Sequence, residues 1–258
     1  MTSVSHLFRK TMPSTIALLL CGALAREVIA IAKARGWDVA IHAISAREHM
    51  TPPTIAPHVE AKLRELLQSH ERVIVVYGDC GTAGALDRVL DAYNVPRISG
   101  PHCYEMYAGA AAHDTLMAEQ PGTFFLTDFL LRGFDGLMWK GLGLDRNPEL
   151  RDDYFAHYTR LVYLAQSDDA ALRSKAHTVA ERLGLALEIR PTRYGELETR
   201  LTALMAEIHA PRYEPRREQL QHDHLSSPLL ARPPVTGSRA RRPRARKRGA
   251  QQPISGSH

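Results

Sequence analysis

Apolar positions along this chain come in short runs, each followed by a polar or glycine-rich turn and then by a stretch of helical spacing. Three segments share that design. The first is STIALLLCGALAREVIAIAKARGW with the strand DVAIHAI after it, and the second is RVIVVYGDCGTAGALDRVLDAYNV with the short PRISG. The third is RLVYLAQSDDAALRSKAHTVAERLGL with ALEIRP. In the first, the run Thr15–Leu20 reads as a buried strand, and Leu24, Val28 and Ile31 then fall on one helical face. Strand, turn, helix, strand in repeated order predicts an α/β fold, a mainly parallel sheet with helices on both faces.

Between the first two units, Val59, Leu63, Leu66 and Leu67 align on a helix, and Leu197, Leu201, Leu204 and Ile208 predict the last one. Residues 104–158 read as a helical insert over the carboxyl edge of the sheet. It contains GTFFLTDFLLRGFDGLMW, and Asn147-Pro148-Glu149 opens a further helix. In the third unit Asp168 is the expected helix N-cap. The organisation expected is an extension over 1–12, a core over 13–210 with the insert, and a tail over 211–258 rich in Pro, Arg and Ser, of disordered composition.

Charge sharpens that division. The net +5 is uneven: eleven Lys/Arg against three Asp/Glu after residue 210 leave 22 basic and 25 acidic residues before it. The core is mildly acidic and the basic pI belongs to the tail. That tail has no aromatic residue after Tyr213, so only weak electrostatic contact with nucleic acid is expected. No apolar run approaches the ~20 residues that span a bilayer. Arg9, Lys10 and the run Ile16–Ala25 imitate a signal peptide, but the run continues into an amphipathic helix, and a cytoplasmic location is expected.

The three cysteines, an odd number without regular spacing, argue against a disulfide framework. Each stands where a strand should hand over to a turn or helix: Cys21 in LLLCGAL, Cys80 in VVYGDCGTAG and Cys103 in ISGPHCYEM. A parallel sheet gathers such positions at its carboxyl edge, the usual address of a ligand site. Three thiols there predict a metal site, with Zn²⁺ as the first cofactor and a [4Fe–4S] cluster as the alternative. His102 is expected as a fourth ligand or an acid–base group, with Asp79 and Glu105 as catalytic or supporting carboxylates. Asp128 reads as a supporting group or, more simply, a helix cap. Gly78, Gly81 and Thr82 offer a glycine turn that could cradle a phosphate at the helix start. A nucleophilic Cys80, with His102 or His49 as base, is the enzymatic rival. His49 otherwise reads as a surface loop residue.

With CGAL, YGDCGT, GPHCYE, PGTFFLTDFL, GLGLDRNPELRDDYF and YLAQSDD in order, the chain resembles the family known as domain of unknown function 1638, over roughly residues 15–205. Its His49-Met50-Thr51-Pro52 departs from that family's His-Asn-x-Pro. The resemblance implies no assigned activity, but an association with corrinoid-dependent methyltransferases. Quinolinate-synthase-like enzymes are similar in architecture only, bringing three isolated cysteines to one cluster. The expectation is a metal-dependent enzyme acting on a small-molecule substrate, linked to corrinoid methyl metabolism. The alternative is a non-catalytic metal-carrying accessory that binds a corrinoid methyltransferase partner through Phe124, Phe125, Trp139 and Tyr154, residues that otherwise read as core.

Overall fold

Short runs of Leu, Ile and Val with no charge inside them bury both faces only in the middle of a parallel sheet. The computed structural model, which describes residues 15–209, places β1 (Ile16–Cys21) in that position, every residue buried. A turn of 3₁₀ helix over Gly22–Leu24 leads into α1 (Ala25–Arg35), with Leu24, Val28 and Ile31 buried as the spacing predicts. Gly36 ends α1 at φ +66°, its N–H bonded to the Ala32 and Lys33 carbonyls. Only glycine takes that left-handed cap without strain.

The chain then lays β2 (Val39–Ile44) on one side of β1, in parallel register from Ile16↔Val39 to Cys21↔Ile44. Two 3₁₀ turns, Ala46–Met50 and Pro52–Thr54, precede α2 (Ile55–Ser69), which buries Val59, Leu63 and Leu66. β3 (Arg72–Val76) pairs with the other side of β1, so the order is β2-β1-β3. After α3 (Ala85–Tyr93), the PRISG segment adds one parallel bridge, Val75↔Arg97, beyond β3.

A short helix α4 (Cys103–Ala108) and α5 (Ala110–Glu119) lead to β4 (Thr123–Thr127), which begins a second parallel sheet. Next come α6 (Asp128–Phe134), a π-helical turn over Asp135–Trp139 and α7 (Leu150–Phe155). β5 (Arg160–Ala165), α8 (Ala170–Leu183) and β6 (Ala186–Pro191) complete the order β4-β5-β6, before α9 (Leu197–His209). The α/β class with parallel sheets holds. The strands divide into two three-stranded sheets, and the segment 104–158 consists of helices and turns with β4 among them. The Thr-Phe-Phe-Leu-Thr run between Gly122 and Asp128 is five residues of β-formers, too short to show a period amid helices.

Alternation on the second sheet joins the two halves of the core. Phe125, Val162 and Leu164 pack into the apolar cluster of the first sheet, together with Leu197, Leu201, Met205 and Ile208 of α9. Leu126, Leu161, Tyr163 and Ala165 point the other way, into a cluster with α6 and α8. Asp169, not Asp168, caps α8, accepting from the Ala171 and Leu172 N–H groups. The neighbouring Asp168 pairs with Arg173 instead, at 2.8 Å. Among the contact aromatics considered above, Phe125 is buried and Tyr154 exposed, while Arg182 covers the Trp139 ring at 3.3 Å from its centroid. No helix among the described residues is long and apolar enough to cross a membrane. The 1–12 extension and the basic tail lie outside the described residues.

Candidate functional site

The chain leaves β1 for β2 on one side and returns to β3 on the other, so the carboxyl ends of β1 and β3 form the switch point of this sheet, the place where parallel sheets bind ligands. Cys21, the last residue of β1, is 4% exposed and accepts from the Ala23 N–H at 3.4 Å. On the neighbouring strand, Tyr77 follows β3 directly with its ring fully buried. Its hydroxyl has no hydrogen bond of good geometry, and the group it faces is the Cys21 thiol.

His49 comes to the same place from the loop after β2. Its ring lies on that of Tyr77, centroids 5.6 Å apart and planes 12° from parallel. Nδ1 is 2.9 Å from the Ala46 carbonyl, which can only accept, so Nδ1 carries the proton. Burial lowers the pKa of this imidazole and keeps it neutral. The lone pair is therefore on Nε2, the tautomer in which histidine acts as ligand or base.

The loop carrying Cys80 is built from its own polar groups. Asp79 accepts from the Thr82 hydroxyl at 2.6 Å, from Gly84 N–H at 2.9 Å and from Ala83 N–H at 3.2 Å. The Thr82 hydroxyl, ahead of these amides, holds the Asp79 carboxyl below the usual range. Thr82 N–H and Ala85 N–H bond the Asp79 and Thr82 carbonyls, and the Asp79 and Cys80 N–H groups bond Gly100 and Pro101 carbonyls at 3.3 and 2.7 Å. The Thr82 hydroxyl and the N–H groups of Thr82, Ala83, Gly84 and Ala85 are thus bonded within the protein. Gly78 is where the two loops touch: a Cβ there would sit 2.8 Å from His102 Cα. Gly81 is at φ +84° over Pro52. Cys80 and Ala83 are held at φ +49° and +51°, a conformation costing a residue with a side chain about 1–3 kcal/mol and found where surroundings over-determine it.

Cys103 opens α4, and His102 caps that helix, its Nδ1 accepting from Glu105 N–H at 3.3 Å. In the neutral ring Nε2 then carries the proton, so His102 presents a donor rather than a ligand lone pair. Burial first, then the neighbouring His113, lowers its pKa. Glu105 is buried and bidentate to Arg200 at 2.6 and 2.7 Å. Arg200 also reaches the Ser99 carbonyl and pairs with Glu196, so Glu105 ties α9 to the loop before α4. Arg97, beneath the loops, pairs with Asp87 and bonds the carbonyls of Tyr77, Ile98 and Gly100.

The three thiols sense one another. Burial pushes Cys21 up to about 11. Cys80 goes up to about 12, through burial, then Cys21 and then Asp79. Cys103 is raised well above an ordinary thiol by burial, then by Cys21 and Cys80. Tyr107 is hydrogen-bonded to Glu27, whose carboxyl burial raises, and burial raises the Tyr107 phenol in turn. Asp128, 1% exposed, is a hub. It accepts from Tyr163 hydroxyl at 2.7 Å, Gln166 N–H at 3.0 Å, Arg132 at 3.1 Å and the Ser167 hydroxyl. The α6 cap is Thr127.

The structure thus brings Cys21, Cys80 and Cys103 to one edge, and commits Asp79, Thr82 and Glu105 to holding the loops. Among the described residues, no set of three or more His, Cys, Asp or Glu side chains is already spaced to grip a metal ion. Tyr77 and Arg97 carry no role in the sequence reading, where His49 enters only as a base for Cys80 or as a surface loop residue. Tyr77 carried the one usable signal, standing directly after a strand and before Gly78. A family model described as "Protein of unknown function (DUF1638)" matches residues 43–201. No curated protein matches the chain.

Proposed function

The chain belongs to the DUF1638 family of proteins of unknown function, and from that premise we propose that it is a thiolate metal-site protein, an enzyme acting on a small molecule at the carboxyl ends of β1 and β3. The observation that carries this reading is the placement of three free thiols from separate chain segments at one sheet edge, Cys21 ending β1, Cys80 in the loop after β3 and Cys103 opening α4. Burial keeps them protonated, and a protonated thiol is a poor nucleophile, which weighs against Cys80 acting alone. A cation among them reverses that balance, because coordination removes the proton outright. Rotation about one side-chain bond moves each sulfur between staggered wells, which is the adjustment ligation asks of them. Sulfur donors select zinc or an iron–sulfur cluster over hard cations.

His49, whose Nε2 keeps its lone pair, is the nitrogen donor of this reading, in place of His102, whose Nδ1 lone pair is taken by the Glu105 N–H. Zinc bound there would supply Lewis acidity or an activated thiolate, the chemistry expected of corrinoid-linked methyl metabolism. The test is metal content and visible absorption of protein purified without oxygen, beside Cys80→Ala, followed by zinc titration of the metal-free protein. We expect stoichiometric metal that the substitution removes, and release of about three protons per zinc at neutral pH. Metal-free protein that takes up neither zinc nor iron in stoichiometric amount overturns the reading.

A further inference from the structure

The second sheet has its own carboxyl edge, and a cavity of about 440 Å³ opens there. Gln166, Ser167 and Asp168 line it from the end of β5, Arg173 from the first turns of α8, and Arg193 and Tyr194 from the turn after β6. We propose that this cavity binds a small molecule through a phosphate or carboxylate group, clamped between the guanidinium groups of Arg173 and Arg193. The site is separate from the thiol edge and does not depend on that reading.

Three observations carry it. The first is how Arg193 is held. Thr192 N–H and Arg193 N–H both bond the Ala165 carbonyl, at 2.9 and 3.1 Å, and Gly195 N–H closes the turn on the Thr192 carbonyl. These bonds hold Arg193 at φ +50°, where a residue with a side chain is strained, and they place that side chain at the cavity. Among the described residues nothing pairs with its guanidinium, although this chain pairs most arginines around the core. The second is the donor set. Arg173 spends one bond on Asp168, itself almost fully exposed, and keeps further N–H donors for an oxygen ligand. Two guanidinium groups against one carboxylate leave the lining positive.

The third is the floor. Gln166 is engaged at both ends of its amide, accepting from Asp128 N–H and donating to the Leu164 carbonyl. Ser167, which lines the cavity, gives its only proton to the buried Asp128 carboxylate, so toward a ligand its hydroxyl can only accept. The lining therefore offers a rigid hydroxyl acceptor beside two planar donors, the arrangement that selects a small oxyanion carrying its own hydroxyl or amine.

The test is calorimetric titration of the full chain at low ionic strength with inorganic phosphate and, separately, with malate. Arg193→Gln and Arg173→Gln are run in parallel, with circular dichroism to establish that each is folded. We expect saturable one-site binding of at least one anion, weakened roughly tenfold or more by either substitution, as loss of a charge-assisted bond implies. Binding of phosphate alone identifies a phosphoryl ligand, and of malate alone a carboxylic acid. If one variant does not fold, the other gives the same reading. Failure of both anions to saturate the wild-type protein overturns the proposal. So does binding that persists unchanged in the folded variants, which would place the anion elsewhere, as on the arginine-rich C-terminal segment.

Discussion

The imidazole of His49 lies flat on the phenol ring of Tyr77, 5.6 Å between centroids, and so joins the loop after β2 to the end of β3 across β1. This contact spans the edge at which Cys21 ends its strand. It leaves the Tyr77 hydroxyl buried without a well-formed hydrogen bond. A buried hydroxyl in that condition costs about 1–3 kcal/mol of desolvation, whereas the ring itself packs well. Tyr77→Phe is therefore expected to leave stability unchanged or to raise it by about 1 kcal/mol, read from urea unfolding. A loss larger than about 1 kcal/mol would mean that the hydroxyl is firmly bonded, with the Cys21 sulfur as its partner.

Gly78 sets the distance between the loops that carry Cys80 and Cys103. A Cβ there meets backbone, His102 Cα at 2.8 Å and His102 N at 3.0 Å, and backbone cannot swing aside. Gly78→Ala should destabilise by about 1–3 kcal/mol, the range for overpacking a closed site. Gly36→Ala is the contrasting case, with nothing within 4 Å of its Cβ and only the φ of +66° against it. Its loss should stay near 1 kcal/mol. Equal losses at the two positions would mean that strain at φ, not the loop contact, is what matters.

Much of this was legible along the chain because it depends on near neighbours. Leu24, Val28 and Ile31 mark the buried face of α1 within eight residues, and Cys21 and Cys80 advertise a strand end by the runs before them. What stayed hidden depends on partners far away. His49 looks like any loop histidine until the Ala46 carbonyl and the Tyr77 ring fix its tautomer and place. Asp128 reads as a cap because its actual partners, Tyr163, Gln166 and Ser167, lie more than thirty residues on. Glu105 resembled a catalytic carboxylate until Arg200 closed on it from α9. Asp168 and Asp169 are equally good caps by type, and only the backbone angle at the turn chooses between them.

The Glu105–Arg200 pair separates a structural carboxylate from a catalytic one. Both side chains are largely buried, and removing one partner of such a pair typically costs 3–5 kcal/mol because the other charge is left uncompensated. Arg200→Met should therefore fall in or near that range, softened by the solvent that reaches its edge. The double variant Arg200→Met with Glu105→Met should recover a large part of the loss, which a double-mutant cycle in urea measures. Additive losses would mean that the two act separately and would return Glu105 to the chemistry of the thiol edge.

In metal-free protein the thiols should make stability fall on the alkaline side. Cys21 has an ordinary value of 9.0 and is pushed up to about 11 by burial, so from pH 9 to pH 11 the unfolded chain has lost a proton that the folded chain still holds. Stability is then full below pH 9 and declines as pH rises toward 11, with a slope approaching 1.4 kcal/mol per pH unit for this one thiol. Cys80 and Cys103 are shifted in the same direction and steepen the decline. Tyrosines and lysines also titrate in this window, so the quantity to measure is the difference between wild type and Cys21→Ala in urea midpoint from pH 8 to pH 11. The variant should lose less stability over that interval. Parallel curves would mean that Cys21 ionises as an ordinary exposed thiol, and the buried three-thiol edge would then lose its physical basis.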